Sequence, residues 1–497
     1  MQYVGVKRTC LFLAVVLSVA CGPKAGRSGG GGGGPMPAAV STYAGLRWVP
    51  ADATYALAAR RTDQALVLLK NAIDGFGIAG EVDAAELSRE STRELGFDVL
   101  SPDAYAEFGV DLDRGLAIWS RGLGPSVAVP LADPQRLAAE IERRRGPGTV
   151  VQVSRAHDVE VFTIRPDRDA SFHWVIAGDW FLAHLEVTEE REAEGAWFEE
   201  AWAARGGFAG TPEFTAAIDE GTRRVGAEPP VVGVARVPAI LAHPLVEEPS
   251  ACGPTLGALG RVFLAAGVEG GASRGAVVFE VPAGVDAVRA LISQVPAGWA
   301  AARAGAPVVA EVGLDMRAAA AAFSPCVGED LGRDLEQARS GRLFVHAIDL
   351  DGMKGKGAAS VELANPRMLA DMLSEIPGIG FLSKQRALGP IDVTDVNAPG
   401  VPRFSYAQAG ASTVIAVSSS IDALLTGGMV AGGDELARFE VLPRAWPAET
   451  WDELLASAIG REEARADTVR RLRAWTKGEI TLALEGRSIV LTAHGTR

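Results

Sequence analysis

A short segment that recurs within the chain constrains the fold more than any other feature of the sequence. Residues 131–138 (LADPQRLA) return as residues 363–370 (LANPRMLA), 232 positions later. The same gapless spacing pairs Val129 with Val361, Gly146 with Gly378, Gly148 with Gly380, Phe172 with Phe404, and Ala177-Gly178 with Ala409-Gly410. An internal repeat implies that one architectural unit occurs twice, because each copy has the same apolar pattern to bury. The sequence therefore predicts two homologous halves.

The residues around the repeat indicate antiparallel hairpins followed by helices. Paired segments alternate between apolar and polar residues and are joined by Gly/Asp turns, a pattern typical of β-hairpins. A unit of hairpin, turn and helix occurs at residues 116–144, 261–293 and 343–374. We therefore expect an α+β fold with two homologous halves, residues 45–300 and 304–497, each an antiparallel sheet with helices packed on one face. Whether the halves share a core is left open.

Composition sets limits on size and partners. A chain of 497 residues with 48% hydrophobic content is long enough for two to four domains with real cores. The formal net charge of -14 argues against a broad nucleic-acid interface, because phosphate binding needs clustered lysines and arginines. No nucleic-acid partner is expected.

The first 44 residues have the pattern of a targeting segment and a tether. Lys7-Arg8 precedes an apolar run at residues 11–19, which is too short to span a bilayer permanently. We interpret residues 1–20 as a signal peptide and residues 21–44 as a Gly-rich tether with six consecutive glycines at 29–34. A flexible coil of this kind would hold the body about 25 Å from its attachment point on average.

The end of the apolar run, residues 17–22 (LSVACG), resembles the lipobox of bacterial lipoproteins, although Ser18 stands where leucine is usual. The resemblance implies that Cys21 carries a diacylglyceryl group and becomes the mature N-terminus. It places the protein in the bacterial cell envelope, anchored to a membrane and facing the periplasm or the cell surface. Ordinary cleavage beside an incidental cysteine is the alternative.

Two cysteines remain in the body, Cys252 and Cys326. In an oxidising compartment they form the one internal disulfide available there, worth about 4 kcal/mol in the chain-entropy model. Two small buried thiols are the alternative.

Signatures of catalysis are scarce. The sequence has no Gly-x-Ser-x-Gly, Walker, His-Glu-x-x-His or Cys-x-x-Cys motif. His157-Asp158 is a possible acid/base or metal pair, but a solvated hairpin turn is the more ordinary interpretation. His173 and His184 lie on one predicted hairpin, near opposite ends and not converging. We assign no catalytic, cofactor-binding or metal-binding residues, and no cofactor.

Two further segments have ordinary structural interpretations. Residues 349–352 (DLDG) suggest calcium, but the twelfth position of an EF-hand loop falls on Ser360, so a hairpin turn is favoured. Residues 461–475 predict a surface helix with Val469, Leu472 and Trp475 facing inward. A partner-binding or membrane-facing helix is the alternative.

Residues 49–53 (VPADA) and 108–111 (FGVD), with the hairpin that follows, resemble bacterial families of exported domains of unknown function. The resemblance implies a location and no catalytic residues. The leading hypothesis is a lipid-anchored, non-enzymatic envelope protein that binds an envelope protein or an apolar ligand. The alternative is a periplasmic hydrolase with a site near His157 or His173.

Overall fold

The structure is a computed structural model that describes most of the chain after residue 35. The described residues are 36–76, 84–144, 150–165, 170–187, 196–243, 258–269, 272–282, 285–290, 298–299, 306–313, 315, 318, 338–349, 354–363, 365, 367–399, 402–410, 412–426, 429–430, 435–456 and 462–497. The chain divides into two compact units. Unit 1 comprises residues 1–247 and 261–268, and unit 2 comprises residues 248–260 and 269–497.

The helices among these residues are mostly short. They are α1 Ala39–Thr42, α2 Thr62–Phe76, α3 Ala84–Leu95, α4 Pro102–Glu107, α5 Pro134–Arg144, α6 Ala196–Ala204, α7 Pro212–Val225, α8 Val237–Leu241, α9 Val285–Ala290, α10 Met368–Ser374, α11 Ile379–Leu382, α12 Ile421–Thr426, α13 Ala448–Ala456 and α14 Glu462–Ala474. Short 3-10 helices occur at Ala44–Trp48, Phe208–Gly210 and Pro443–Ala445.

The strands of unit 1 are β1 Tyr55–Ala59, β2 Ala117–Ser120, β3 Ser126–Pro130, β4 Gln152–Ala156, β5 Val159–Ile164, β6 Ala170–Ala177, β7 Trp180–Val187, β8 Val231–Arg236 and β9 Arg261–Glu269. Those of unit 2 are β10 Ala272–Glu280, β11 Gly298–Trp299, β12 Val308–Val312, β13 Ala338–Asp349, β14 Lys354–Leu363, β15 Ser383–Leu388, β16 Ile391–Val396, β17 Phe404–Ala409, β18 Ser412–Val417, β19 Met429–Val430, β20 Glu435–Val441, β21 Lys477–Glu485 and β22 Ser488–Thr496.

The predicted fold class is wrong. Among the described residues, twenty strands belong to one large antiparallel sheet, and only β11 and β19 form a separate pair. The protein is thus mainly antiparallel β with helices added, and not two α+β halves with a sheet each. The physical reason is that every hairpin leaves two edges of unpaired N–H and C=O groups, which neighbouring hairpins satisfy. The pattern of residues within a hairpin does not reveal where this pairing stops.

Local predictions were more accurate. The hairpin predicted to turn at Gly178-Asp179 is β6–β7, and Gly178 has φ of 63°. The strands predicted on either side of residues 269–271 are β9 and β10, which begin and end within two residues of the expected limits. Helix α7 begins after Thr211, whose side chain accepts a hydrogen bond from the N–H of Phe214 at 3.3 Å, and contains Pro212 in its first turn.

The strands of the two units follow the same spatial order. In unit 1 the order is β4-β5-β6-β7-β3-β2-β1-β8-β9. In unit 2 it is β15-β16-β17-β18-β14-β13-β12-β20-β21, followed by β22 and β10. Each strand of unit 1 therefore has a counterpart in unit 2.

The hydrogen-bond register follows the 232-residue spacing of the sequence. Val129 is opposite Phe181 between β3 and β7, and Val361 is opposite Thr413 between β14 and β18. The same spacing relates the other pairs: Phe172–Leu185 to Phe404–Val417, Val161–Val175 to Val393–Ala407, and Gln152–Thr163 to Lys384–Asp395. Because a one-residue slip would turn every side chain to the other face, equivalent residues lie on equivalent faces.

The two units bury their apolar residues differently. In unit 1, helices α2–α5 and the strands β3 and β5–β7 contribute to one cluster that includes Phe97, Phe108, Leu137, Ile141 and Trp174. The main cluster of unit 2 lies on the other side of the corresponding strands and includes Val309, Phe344, Val414, Ile421 and Leu424. Helices α10 and α11 of unit 2 have no buried residue.

Candidate functional site

Among the described residues of unit 2, one side of the sheet carries an apolar surface, which we call the apolar face. It consists of two neighbouring rows of residues that cross seven strands, β14, β13, β12, β20, β21, β22 and β10. The first row is Ala359, Leu343, Ala310, Phe439, Ile480, Ala493 and Gly275; the second is Val361, Gly341, Val312, Ala437, Leu482, Leu491 and Val277. The rows are two residues apart on each strand, so both point to the same side.

The apolar face is partly accessible to solvent. Leu343 and Phe439 are 45% and 44% exposed, and the other twelve residues are partly exposed. No position in the two rows carries a polar side chain. A solvated sheet face normally has polar residues, and a contiguous exposed apolar patch marks a binding surface.

The opposite side of the same strands is charged where a core would be expected. Glu311 and Arg342 are each 6% exposed and Ser360 is 1% exposed. They lie side by side on β12, β13 and β14, and the row continues with Arg438 and Thr481. Charged and polar groups are therefore covered in this part of the sheet, on the same side as Val309 and Phe344 of the core cluster.

Ion pairs stabilise part of this charged row. The Arg342 Nε atom lies 3.5 Å from Glu311 Oε1, and Arg438 binds Glu479 at 2.7 Å. Lys477 contacts Glu479 at 2.9 Å, and this hydrogen bond raises the pKa of the lysine. Among the described residues, Glu311 Oε1 and Ser360 Oγ have no hydrogen-bond partner. Burying charges with incomplete hydrogen bonding is costly, so this row does not explain the stability of unit 2 by itself.

Trp475 lies beside one edge of the apolar face, just after helix α14. It is 8% exposed and packs on Gly495, where a Cβ would come within 2.5 Å of the ring. The predicted inward stripe of the helix is confirmed, because Val469, Leu472 and Trp475 are 5%, 6% and 8% exposed. The ring of Trp475 therefore covers Gly495, next to the apolar face.

At the centre of the apolar face a small residue lies between two large ones. Ala310 on β12 is directly opposite Leu343 on β13 and Phe439 on β20. In the next row the order of size is reversed, because Val312 lies between Gly341 and Ala437. In unit 1 the equivalent of Ala310 is Leu57, opposite Ile118 and Gly233.

The histidines considered as catalytic candidates lie in unit 1, and the structure places two of them together. His173 and His184 are directly opposed on β6 and β7 with ring centroids 6.1 Å apart, so the prediction that they do not converge is wrong. His173 contacts Thr163 Oγ1 at 2.9 Å through Nδ1 and Glu186 Oε2 at 3.0 Å through Nε2. The error came from the turn: both residues are equally far from Gly178-Asp179.

This arrangement of hydroxyl, imidazole and carboxylate superficially matches a nucleophile, base and orienting acid. Thr163 is 3% exposed, His173 2% and Glu186 7%, however, so a substrate has no access to the hydroxyl group. His184 accepts or donates a hydrogen bond with Ser126 Oγ at 2.9 Å and stacks on Trp197 of α6. Burial and the neighbouring His173 lower the pKa of His184 to about 3. The cluster forms a satisfied polar layer beneath α6.

His157 is separate from this cluster. His157 and Asp158 form the turn between β4 and β5 with φ of 48° and 62°, which confirms the predicted hairpin turn. The imidazole ring stacks on Trp202 at 4.9 Å and pairs with Glu199, both on α6. The side chain thus fixes the turn to the helix.

The remaining candidate residues are only partly described. Cys21, Cys252 and Cys326 lie outside the described residues, as do three of the four residues in the 349–352 turn. Asp349 ends β13. No group of three or more His, Cys, Asp or Glu side chains among the described residues is arranged to hold a metal ion.

Sequence reasoning missed the apolar face. The signal was present in the alternation of β12, β13 and β20–β22, which have one apolar and one largely polar side. Period-two alternation identifies the two sides but does not say which one is covered. The covered side of β12 and β13 combines Val309 and Phe344 with Glu311 and Arg342, so its residues do not identify it as the side that faces the core.

Comparisons with known proteins give little support for any assignment. No family model matches the chain, and no curated protein matches it. Three crystal forms of TP0453, forms I, III and IV, have 11–12% sequence identity over 48–51% of this chain and 79–87% of that chain, with TM-scores of 0.26–0.28. Similarity at this level establishes neither a common fold nor a common function.

Proposed function

We propose that the protein is a lipid-anchored protein of the bacterial cell envelope with a non-enzymatic binding role. Its N-terminal segment supports attachment to a membrane: a positive region at Lys7-Arg8, a short apolar run, and Cys21 at the position of a lipobox cysteine. Lipidation at this cysteine would supply more than one acyl chain, which stable anchoring requires.

The start of the folded body fits a tether of limited length. Tyr43 is fully buried, donates a hydrogen bond to the carbonyl of Pro229 at 2.7 Å, and packs edge-on against Phe214. Leu46 is also fully buried. The chain is therefore fixed in unit 1 within about 25 residues of Cys21, so the unit would remain close to the bilayer.

Among the residues that the structure describes, no helix is long and apolar enough to cross a membrane. In the proposal, the covalent lipid provides the attachment.

The apolar face is the observation that carries the binding role. An exposed surface without polar side chains has a cost in water, which an apolar ligand or partner would remove. The hydrolase alternative has weaker support, because its hydroxyl, imidazole and carboxylate groups are buried and His157 pairs with α6.

Substitution of Cys21 tests the anchor. In a bacterial host, the Cys21→Ser variant should move from the membrane fraction to the soluble fraction and should no longer incorporate radiolabelled palmitate. The matched control is Cys10→Ser, which changes the other cysteine of the same segment and should leave both readouts unchanged. Membrane retention and labelling of Cys21→Ser would contradict the proposal.

A further inference from the structure

We propose that helix α6 is an acid-sensitive cover on the sheet of unit 1, which opens when the histidine pair beneath it is protonated. At neutral pH the helix lies closed on His173 and His184. On acidification the pair gains charge that the closed arrangement does not compensate, so α6 leaves the sheet while the rest of unit 1 stays folded. Neither the lipid anchor nor the apolar face takes part.

The two histidines share one carboxylate. They are directly opposed on β6 and β7, with ring centroids 6.1 Å apart. Glu186 binds the Nε2 atom of His173 at 3.0 Å, whereas the Nδ1 atom of His184 is hydrogen-bonded to the hydroxyl group of Ser126 at 2.9 Å. No carboxylate among the described residues contacts His184. A proton on His184 would therefore place a positive charge beside a second imidazole without a counter-ion of its own.

Helix α6 covers the pair with an aromatic ring. Trp197 stacks on His184 with 5.6 Å between ring centroids and lies 6.4 Å from His173. His173 is 2% exposed and His184 is partly exposed, so a proton has access to His184 from solvent. An imidazolium is attracted to an indole ring, but the ring takes the place of water that would hydrate the charge. Movement of the helix would hydrate both histidines.

The titration of His184 sets the direction of the response. Burial, followed by the neighbouring His173, lowers the pKa of His184 to about 3 in the closed form. A hydrated imidazole has a pKa of about 6.5. As the pH falls, the open form therefore binds the proton first. The equilibrium constant for opening rises by at most about tenfold per pH unit between these two values.

Apolar contacts keep α6 closed when the histidines are neutral, and a hinge follows the helix. Phe198 is fully buried and Ala201 is 1% exposed, so opening exposes both to water. Directly after the helix, Arg205 and Gly206 have φ of 45° and 72°. Phe208 is again fully buried. The chain is thus fixed from Phe208 onward, and α6 can move as a local unit without displacing α7.

The other charged groups on α6 respond weakly over the same pH range. Glu199 pairs with His157, and Glu200 pairs with Arg121 from the turn between β2 and β3. Protonation of His157 strengthens its pair with Glu199 and opposes opening. Both pairs are at least one-third exposed, and exposed ion pairs contribute little. The buried pair of histidines therefore dominates.

Hydrogen exchange of the purified full-length protein, followed by mass spectrometry from pH 7 to pH 4, tests the proposal. Dividing each measured rate by the intrinsic rate at that pH gives the opening constant of α6. This constant should rise on the order of 100-fold over the range. Helix α7, whose Phe214 packs on Tyr43 and Phe208, is the internal reference and should change far less.

Substitution of His184 identifies the trigger. His184→Gln removes the titrating ring and keeps a hydrogen-bonding side chain, so the pH response of α6 should fall to that of α7. The matched control is His157→Gln, the same substitution at another histidine that contacts α6. It should weaken the closed form at every pH and keep the large rise on acidification. Circular dichroism at pH 7 checks that both variants are folded.

Each contrary outcome overturns the proposal. An equal rise at α6 and α7 in the parent would show that acid destabilises unit 1 as a whole. A flat response at α6 would show that the histidine pair does not control the helix. A full response in His184→Gln would assign the effect to other groups. If that variant does not fold, the comparison of α6 with α7 in the parent remains decisive.

Discussion

The equivalent rows on the covered side of the two units have opposite chemistry. In unit 1 the row is Ala128, Ala117, Ala58, Val232 and Ala265, with at most 4% exposure; in unit 2 it is Ser360, Arg342, Glu311, Arg438 and Thr481. Hydrogen-bond register is the same in both. The backbone pattern therefore tolerates either a tightly packed or a charged row, and the difference depends on what lies against it.

In unit 1 the covering elements approach very closely. A Cβ on Gly45, in the 3-10 helix Ala44–Trp48, would lie 2.5 Å from the backbone nitrogen of Ala117. A Cβ on Gly221 in α7 would lie 2.9 Å from the Cβ of Ala265. Only small residues fit on both sides of such contacts. The charged side chains of the equivalent row in unit 2 form ion pairs and need space above the sheet. A backbone packed as closely as Gly45 on Ala117 would leave no space for them.

The largest effect is expected when a residue of unit 2 is placed in unit 1. Ala117→Arg would bury a guanidinium group against Gly45 without a partner and should destabilise unit 1 by more than about 4 kcal/mol. Urea denaturation with tryptophan fluorescence measures it. A variant as stable as the parent would show that the two rows are interchangeable and that the comparison fails.

The second prediction concerns the buried ion pair. Arg342→Ala leaves Glu311 buried without its partner and should cost about 3–5 kcal/mol. The double variant Glu311→Ala/Arg342→Ala, which reproduces Ala58 and Ala117, should cost clearly less because no charge remains unpaired. Thermal or urea unfolding of the parent, Glu311→Ala, Arg342→Ala and the double variant provides the double-mutant cycle. Equal losses in the single and double variants would contradict coupling between the two side chains.

The third prediction uses the repeated segment itself. Leu137 on α5 is 8% exposed, so Leu137→Ala should cost about 2–4 kcal/mol. Its counterpart Leu369 on α10 is partly exposed, and Leu369→Ala should cost less than about 1 kcal/mol. Comparable losses in denaturant titrations would mean that α10 is packed as tightly as α5.

The smallest effect is a pH dependence confined to unit 1. The pKa of His184 is lowered to about 3 in the folded protein, below the value of about 6.5 in the unfolded chain. As the pH falls, the unfolded chain therefore takes up a proton at His184 before the folded protein does. The contribution of His184 to the free energy of unfolding is fully present above about pH 6.5 and is lost as the pH falls towards 3. The free energy of unfolding then changes by at most about 1.4 kcal/mol per pH unit because of this residue. The counterpart in unit 2 is Ala416.

His184→Gln should remove the contribution of His184 to the pH dependence of the free energy of unfolding, while keeping a hydrogen-bonding side chain near Ser126. Unfolding free energies of the parent and the variant at several pH values between 4 and 7 isolate the contribution, since the carboxylates titrate in both. Identical slopes would show that His184 does not titrate differently in the folded protein.

The elements that depend on local residues were predictable, and those that depend on distant partners were not. Asp133 accepts hydrogen bonds from the N–H groups of Gln135 and Arg136, and Asn365 accepts one from Arg367, so the two joints between strand and helix share their capping chemistry. The sequence shows this directly. The turns at Gly178 and His157 were likewise identifiable from their residues.

The packing of the helix after each joint could not be read in the same way. Helix α5 is buried because Phe97 and Phe108, from distant parts of the chain, pack in the same cluster. Nothing within residues 131–138 encodes that contact. The apolar face could not be predicted from the sequence for the same reason. The alternation of β12 and β13 is compatible with either side facing the core, and the elements that pack against the sheet determine which side is covered.

The constant 232-residue register has a practical consequence for rebuilding the chain. Residues 126–187 and 358–419 contain the same number of positions between every pair of matched strands. They are therefore cassettes of equal length, and either could be spliced into the place of the other without adjusting a turn. A chimera made in this way would carry its side chains to the intended faces, so the surfaces of the two units can be exchanged as whole modules.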